Sequence, residues 1–189
     1  MKTVGILLAA GSARRFGAPK LLHPMANGVP VGIVAARVMQ QALSRVIAVL
    51  RPGDRQLRAA FTDIGLEVIE NPHAASGIGT SVAAGVGAAA DARACIIALA
   101  DMPWVQAATI SVLADRLHQG ASIVAPAHRG RRGNPVGFAA HWFPELIDLS
   151  NDHGARDLLS RNIDQLQLVN TADAGILDDV DHPADLRGR

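Results

Sequence analysis

Short apolar runs of strand length alternate with helical patterns along this chain, and that alternation restricts its architecture more than any other feature. Thr3–Ala9, Val46–Leu50, Leu66–Glu70, Arg93–Ala100 and Ser122–Pro126 read as strands, most of them too apolar to face water on either side. Val31–Leu43, Arg55–Asp63, Ile78–Ala90 and Ala107–Gln119 fall between them with helical spacing. This rhythm implies the α/β class, with a largely parallel sheet covered on both faces. Further along, Pro135–Ala139 and Leu166–Val169 suit short strands, and His141–Leu149 and Ala155–Arg161 suit helices. No linker, repeat or low-complexity block intervenes, so residues 1–189 are expected to form one domain with a real core.

Composition excludes several function classes. The 18 basic residues are balanced by 17 acidic ones, so no global field favours nucleic acid or a membrane surface. The single cysteine, Cys95, lies in the apolar run Ala94–Leu99. It has no internal disulfide partner and reads as a buried small hydrophobe rather than a nucleophile. The N-terminal apolar run is too short for a secretory signal and flows straight into a basic loop. No segment reaches the ~18 apolar residues of a membrane span. A cytoplasmic protein with neither nucleic acid nor membrane as partner is the expectation.

In open α/β sheets, ligands sit beyond the carboxyl ends of the strands. Three of the expected strands end in segments able to do chemistry: Gly11–Lys20, Asn71–Ser81 and Asp101-Met102-Pro103. The first opens from Leu8-Ala9-Ala10 into Gly11-Ser12-Ala13-Arg14-Arg15-Phe16-Gly17-Ala18-Pro19-Lys20. Backbone N–H groups can approach phosphate oxygens at its glycines, and the long cations offset their charge. It is neither a Walker A loop, since Lys20 precedes Leu21, nor a dinucleotide fingerprint, since Ala13 takes the second glycine's place. A solvated basic turn has the same composition.

Asp101 stands at a strand terminus, where a carboxylate suits a Mg²⁺ that keeps several waters and bridges phosphate oxygens. The competing role is an N-cap for the next helix. The tail Asp178-Asp179-Val180-Asp181-His182-Pro183-Ala184-Asp185 offers a second carboxylate or simply a frayed acidic end. Asn71–Ser81 opens a helix whose free N–H groups could meet phosphate or ribose oxygens, or serve only as a capped helix start. Arg129–Arg132 reads as a short basic loop, and Arg131 or Arg132 could neutralise a substrate phosphate. Arg156 fits equally an ion pair at a helix start. His23 has no assignable role, and the seven histidines show no zinc spacing.

Taken together, Leu8-Ala9-Ala10-Gly11-x-x-x-Arg15-Phe16-Gly17-x-x-Lys20 resembles the signature loop of the MobA-like nucleotidyltransferases. Its Ala-Ala-Gly spelling is nearer the cytidylyltransferases of molybdenum cofactor maturation than the guanylyltransferases. Asp101-Met102-Pro103 resembles the family's metal-binding Asp-Met-Pro, and Val180-Asp181-x-Pro183-x-Asp185-Leu186 its closing acidic segment, with His182 in place of threonine. Asn71-Pro72 with Gly77 and Ser81, Gly133-Asn134-Pro135 and Asp152-x-Gly154-Ala155-Arg156 match further elements, although Asn151 replaces a glycine.

The resemblance implies a three-layer, Rossmann-like sandwich of the nucleotide-diphospho-sugar transferase type. It implies transfer of a nucleoside monophosphate, CMP from CTP first and GMP from GTP next, to a phosphorylated acceptor with release of pyrophosphate. Molybdopterin is the implied acceptor; a sugar phosphate is the alternative. Leu8, Ala9, Ala10, Gly11, Ser12, Lys20, Gly77, Ser81 and Asp101 would then hold the nucleotide. Arg15, Lys20 and Asp101 would be catalytic, Asp101 and Asp181 would bind Mg²⁺ with Asp179 in reserve, and Arg132, Asn134 and Arg156 would face the acceptor. A different class, a non-catalytic nucleotide-binding accessory that delivers cofactor to a molybdoenzyme or works with a chaperone, would not need the metal carboxylate.

Overall fold

Strand β1 (Thr3–Leu8) is buried along its whole length, between β2 (Val46–Leu50) on one side and β4 (Ala94–Leu99) on the other. Both neighbours run parallel to it, with Leu8 opposite Val49 and Leu99. A strand covered on both faces has no use for polar alternation, which explains its apolar composition. The computed structural model describes residues 3–11, 16–150 and 152–186.

Within those residues the remaining strands are β3 (Glu67–Glu70), β5 (Ile123–His128), β6 (Arg131–Arg132), β7 (Val136–Ala139) and β8 (Leu166–Asn170). They join one sheet in the order β3-β2-β1-β4-β7-β5-β6, with β8 parallel to β5. The sheet is mostly parallel. The exceptions are β7, antiparallel to both β4 and β5, and β6, which forms a hairpin with β5.

The helices are α1 (Val31–Ala42), α2 (Arg55–Asp63), α3 (Ile78–Ala88), α4 (Ala107–His118), α5 (Phe143–Ile147) and α6 (Arg156–Arg161). Leu7, Ala48, Leu50 and Ile96 pack with Met39, Leu57, Phe61 and Leu113 from α1, α2 and α4. Alternate strand residues Ile6, Ile47, Val49 and Ile97 point the other way, onto Val82, Val86, Leu146 and Leu158 from α3, α5 and α6. The result is the three-layer sandwich expected from the sequence. Burying each Val, Leu, Ile, Met or Phe side chain among these contributes about 1.5–3 kcal/mol. Cys95 is fully buried in the second layer, and burial pushes its thiol well above the ordinary value of 9.0.

Two local expectations change. Arg129–Arg132 is a tight hairpin rather than a loop: Arg129 and Gly130 take φ of 50° and 77°, and Arg132 pairs with Ala127. Two successive residues with positive φ match the twist of a two-residue hairpin, which the basic composition concealed. The helix expected over His141–Leu149 divides into a 3₁₀ turn, Ala140–Trp142, followed by α5, with Pro144 in its first turn.

Because β1 to β4 run parallel, their carboxyl ends share one edge of the sheet. The antiparallel β7 starts at that same edge, since Val136 pairs with Ile97 near the end of β4. Asn134 and Pro135 are thereby delivered beside the loops that follow β1 and β4.

Candidate active site

A cavity of about 700 Å³ opens along this edge. Leu8, Ala9, Ala10 and Gly11 line it from the end of β1, Lys20 from a 3₁₀ turn, and Asp101 from the turn after β4. Ser81, on α3, completes this part of the wall. The backbone here is tightly held: the Ala9 N–H donates to the Val49 carbonyl at 2.9 Å, and the Ala100 N–H to the Leu8 carbonyl at 3.0 Å. Ser12 and Arg15, both expected at the site, lie outside the described residues.

Lys20 Nζ donates to Asp101 Oδ2 at 2.7 Å and stands 3.7 Å from Asp181 Oδ1. Its side chain is only 12% exposed, which weakens solvent screening of the cluster. Asp101 is not the cap of α4, which begins six residues later with Gln106 at its N-cap. The tail is not frayed at Asp181 either. The Val180 N–H donates to the Asp101 carbonyl at 2.9 Å, and the fully buried Val180 side chain packs with Phe16 and Val31. Leu21, next to Lys20, packs against the same group. One small apolar cluster therefore gathers the loop after β1 and the tail around the end of β4.

Asp185 accepts hydrogen bonds from the N–H groups of Asp181 and His182, at 2.8 and 2.7 Å, and fixes the turn that carries Asp181. Those bonds hold the Asp185 carboxyl below its ordinary value. Asp179 is pushed above its own, first by partial desolvation and then by the charges of Asp101 and Asp181, with Lys20 opposing. Among the described residues no group of three or more His, Cys, Asp or Glu forms a preformed metal cage. Two carboxylates against one lysine form a hard, oxygen-only donor set. That set suits a divalent ion of the magnesium type, which takes its other ligands from water and phosphate.

Ser81 lines the cavity while its Oγ accepts from Asn71 Nδ2 at 3.0 Å. Asn71 is buried, donates also to Thr80 Oγ1, and accepts from the His73 N–H, so it shapes the start of α3. Gly77, at φ 126°, immediately precedes Ile78 on the cavity wall.

A second cavity of about 200 Å³ adjoins the first and shares Leu8, Ile78 and Leu99 with it. Arg132, Asn134 and Arg156 all line it, although they come from β6, the turn before β7 and α6. Its floor is apolar, with Val82, Ile97 and Phe138. An apolar floor under two guanidiniums fits a compact organic group that bears an anion.

Arg51 and Pro52, which the sequence does not single out, line the larger cavity, and His153, the unassigned position of the Asp152-x-Gly154-Ala155-Arg156 match, lines the smaller one. Arg51-Pro52 directly follows β2, so the same carboxyl-end rule applied to the second strand would have found it. Arg51 Nε lies 3.8 Å from Asp54 Oδ2. His23 Nδ1 is 2.9 Å from the Pro24 carbonyl, and its ring meets the Phe16 ring edge-on at 5.2 Å, a structural role.

Known proteins resemble the chain over most of its length. The chain is 28% identical to the "Nicotine blue oxidoreductase" of Paenarthrobacter nicotinovorans, over 94% of this chain and 91% of that one. It is 26% identical to the "Molybdenum cofactor cytidylyltransferase" of Escherichia coli (strain K12), over 95% and 91%. The crystal structure of Rv0371c from Mycobacterium tuberculosis H37Rv in complex with manganese superposes with a TM-score of 0.81 at 25% identity, covering 99% of this chain and 97% of that one. The names of the first two differ, so likeness to them does not by itself choose a reaction. The model of the MobA-like NTP transferase domain matches residues 5–167, from β1 to the second residue of β8, and with the cavity and its lysine and aspartate in that frame the chain belongs to the MobA-like NTP transferase domain family.

Proposed function

We propose that this nucleotidyltransferase moves a nucleoside monophosphate, CMP from CTP, onto a phosphorylated acceptor of the molybdopterin type and releases pyrophosphate. The supporting observation is the 2.7 Å contact between Lys20 and Asp101 at the wall of a nucleotide-sized cavity that opens onto a second, arginine-bearing one. The likeness to a molybdenum cofactor cytidylyltransferase supports the choice of base and acceptor.

The nucleotide lies in the larger cavity, its base and phosphates against the Leu8–Gly11 backbone, with Ser12, Gly77 and Ser81 alongside. The acceptor phosphate sits in the smaller one, held by Arg132, Asn134 and Arg156. That phosphate is already anionic at neutral pH, so its oxygen needs no protein base before it attacks the α-phosphorus. The new P–O bond forms as the bond to the β-phosphate oxygen breaks opposite it. Lys20 and Arg15 offset the negative charge that grows on the departing pyrophosphate, as preorganised electrostatic groups do. Asp101 and Asp181 would hold Mg²⁺, which supplies charge stabilisation at the phosphate oxygens when bound. No covalent enzyme intermediate is involved; the work is alignment of two anionic substrates across adjoining cavities.

Pyrophosphate release, measured with each of the four NTPs, Mg²⁺ and molybdopterin, tests the proposal. The expected result is release that depends on acceptor and is fastest with CTP. Release with GTP instead would reassign the base, and with a sugar phosphate the acceptor. Nucleotide binding with no release in any combination would contradict the transferase reading and favour an accessory role.

A further inference from the structure

The segment that follows β8 forms a strap across the site, and one buried carboxylate anchors it. Asp173 is 2% exposed. Its Oδ2 accepts from the Gln106 N–H at 2.8 Å and from Thr109 Oγ1 at 2.7 Å, while its Oδ1 accepts from the Gly175 N–H at 3.0 Å. Helix α4 has no acidic residue in its own first turn, so Asp173 supplies from 67 residues away the negative charge that a helix N-terminus favours.

Beyond this anchor the strap touches both halves of the site in turn. Gly175 lies so close to the Trp104 carbonyl that a Cβ would overlap it. The Ile176 carbonyl accepts from the Asn134 N–H at 3.0 Å, and Gly133 has no room for a side chain against it. Val180 then bonds to the Asp101 carbonyl, and Asp181 follows. The order is therefore α4, acceptor cavity, end of β4, and the carboxylate beside Lys20.

We propose that Asp173 is a positioning residue for Asp181 and Asn134, acting through this strap. The proposal rests on the reading of Asp101 and Asp181 as a divalent-metal pair. An Asp is required because all three partners donate, and an Asn would turn its amide N–H₂ group toward at least one of them. Groups bonded directly to metal ligands are typically worth about 10–100-fold in metal affinity or activity; Asp173 acts through the strap rather than by touching Asp181, so the lower end of that range is expected.

The test is Mn²⁺ titration of the full chain in the presence of CTP, followed by magnetic resonance of the free ion, together with CTP binding in EDTA. In Asp173→Asn, Mn²⁺ affinity is expected to fall about 10-fold, with CTP binding in EDTA unchanged. Thr109→Val, which keeps side-chain shape and removes one donor, is expected to shift affinity the same way by less, and covers the case in which the first variant fails to fold. Arg45→Ala is the control. It breaks contacts to Glu67, Asp91 and the Ala88 carbonyl at the opposite edge of the sheet, and is expected to lower Tm with Mn²⁺ affinity intact. Wild-type affinity in both Asp173→Asn and Thr109→Val, or an equal loss in Arg45→Ala, would overturn the inference while leaving the metal pair standing. Absence of Mn²⁺ binding in the wild-type protein would overturn the metal pair itself, and the inference with it.

Discussion

Lys20 and Asp101 are 81 residues apart in sequence and 2.7 Å apart in space. Their meeting follows from topology: β1 and β4 are parallel neighbours, so the segments that leave them emerge at the same edge. Asp181 joins from the tail, 3.7 Å from the same ammonium. Lysine thus occupies the position of a counter-ion between two carboxylates that are proposed to take a divalent metal. Under that proposal, lysine and metal would compete for those oxygens until a triphosphate engaged both.

That competition gives Lys20→Met a two-sided outcome. Without nucleotide, Mn²⁺ is expected to bind the variant about 10-fold more tightly than wild type, because the ammonium 2.7 and 3.7 Å from the two carboxylates no longer competes for them or repels a cation beside them. Turnover is nevertheless expected to fall by ~10²-fold or more, the scale of losing a preorganised electrostatic contact. Calorimetry and a pyrophosphate assay read the two effects separately. Weaker Mn²⁺ binding in the variant would count against the shared site.

Arg132 and Arg156 reach the second cavity from different elements. Replacing either with Ala is expected to raise the acceptor KM about 10-fold or more, since a charged hydrogen bond is worth roughly 1.5–3 kcal/mol. The KM for the nucleotide should not move. Steady-state kinetics with each substrate varied in turn checks this, and a rise confined to the nucleotide KM would exchange the roles of the two cavities.

Cys95 provides a pH-dependent observable away from the site. Its thiol is raised by burial, so the folded state keeps the proton after the unfolded chain has lost it. Stability is therefore unaffected below the ordinary thiol value of 9.0 and declines above it, by up to about 1.4 kcal/mol per pH unit. Denaturant unfolding from pH 8 to 10 should show this decline in wild type and less of it in Cys95→Ala. A thiol reagent is expected to label the native protein slowly at pH 8 and the unfolded one at once.

Much of this architecture could be read from the chain because the central strands are covered on both faces. Val46–Leu50 and Arg55–Asp63 were expected within the limits observed. The edge strand β3 is half exposed, and its start differs by one residue from the expectation. The hairpin at Arg129-Gly130 was hidden because only backbone conformation, not charge, distinguishes it from a loop. At the site, Lys20, Asp101 and the Ala9–Gly11 turn carried local spelling that marks them. Arg51 and Asp173 carried none. Arg51 matters only because β2 lies beside β1, and Asp173 only because its chain folds back onto α4. The tail is legible mainly through packing: Val180 appears among acids, yet its complete burial brings Asp181 to Lys20.

Anomalous diffraction from crystals grown with Mn²⁺ and a non-hydrolysable CTP analogue tests the shared metal–triphosphate centre most directly. The account predicts one manganese peak bound by Asp101 and Asp181, with Lys20 turned from the carboxylates onto a phosphate oxygen of the analogue. A peak bound by neither aspartate, or a triphosphate lying away from Lys20, would contradict it.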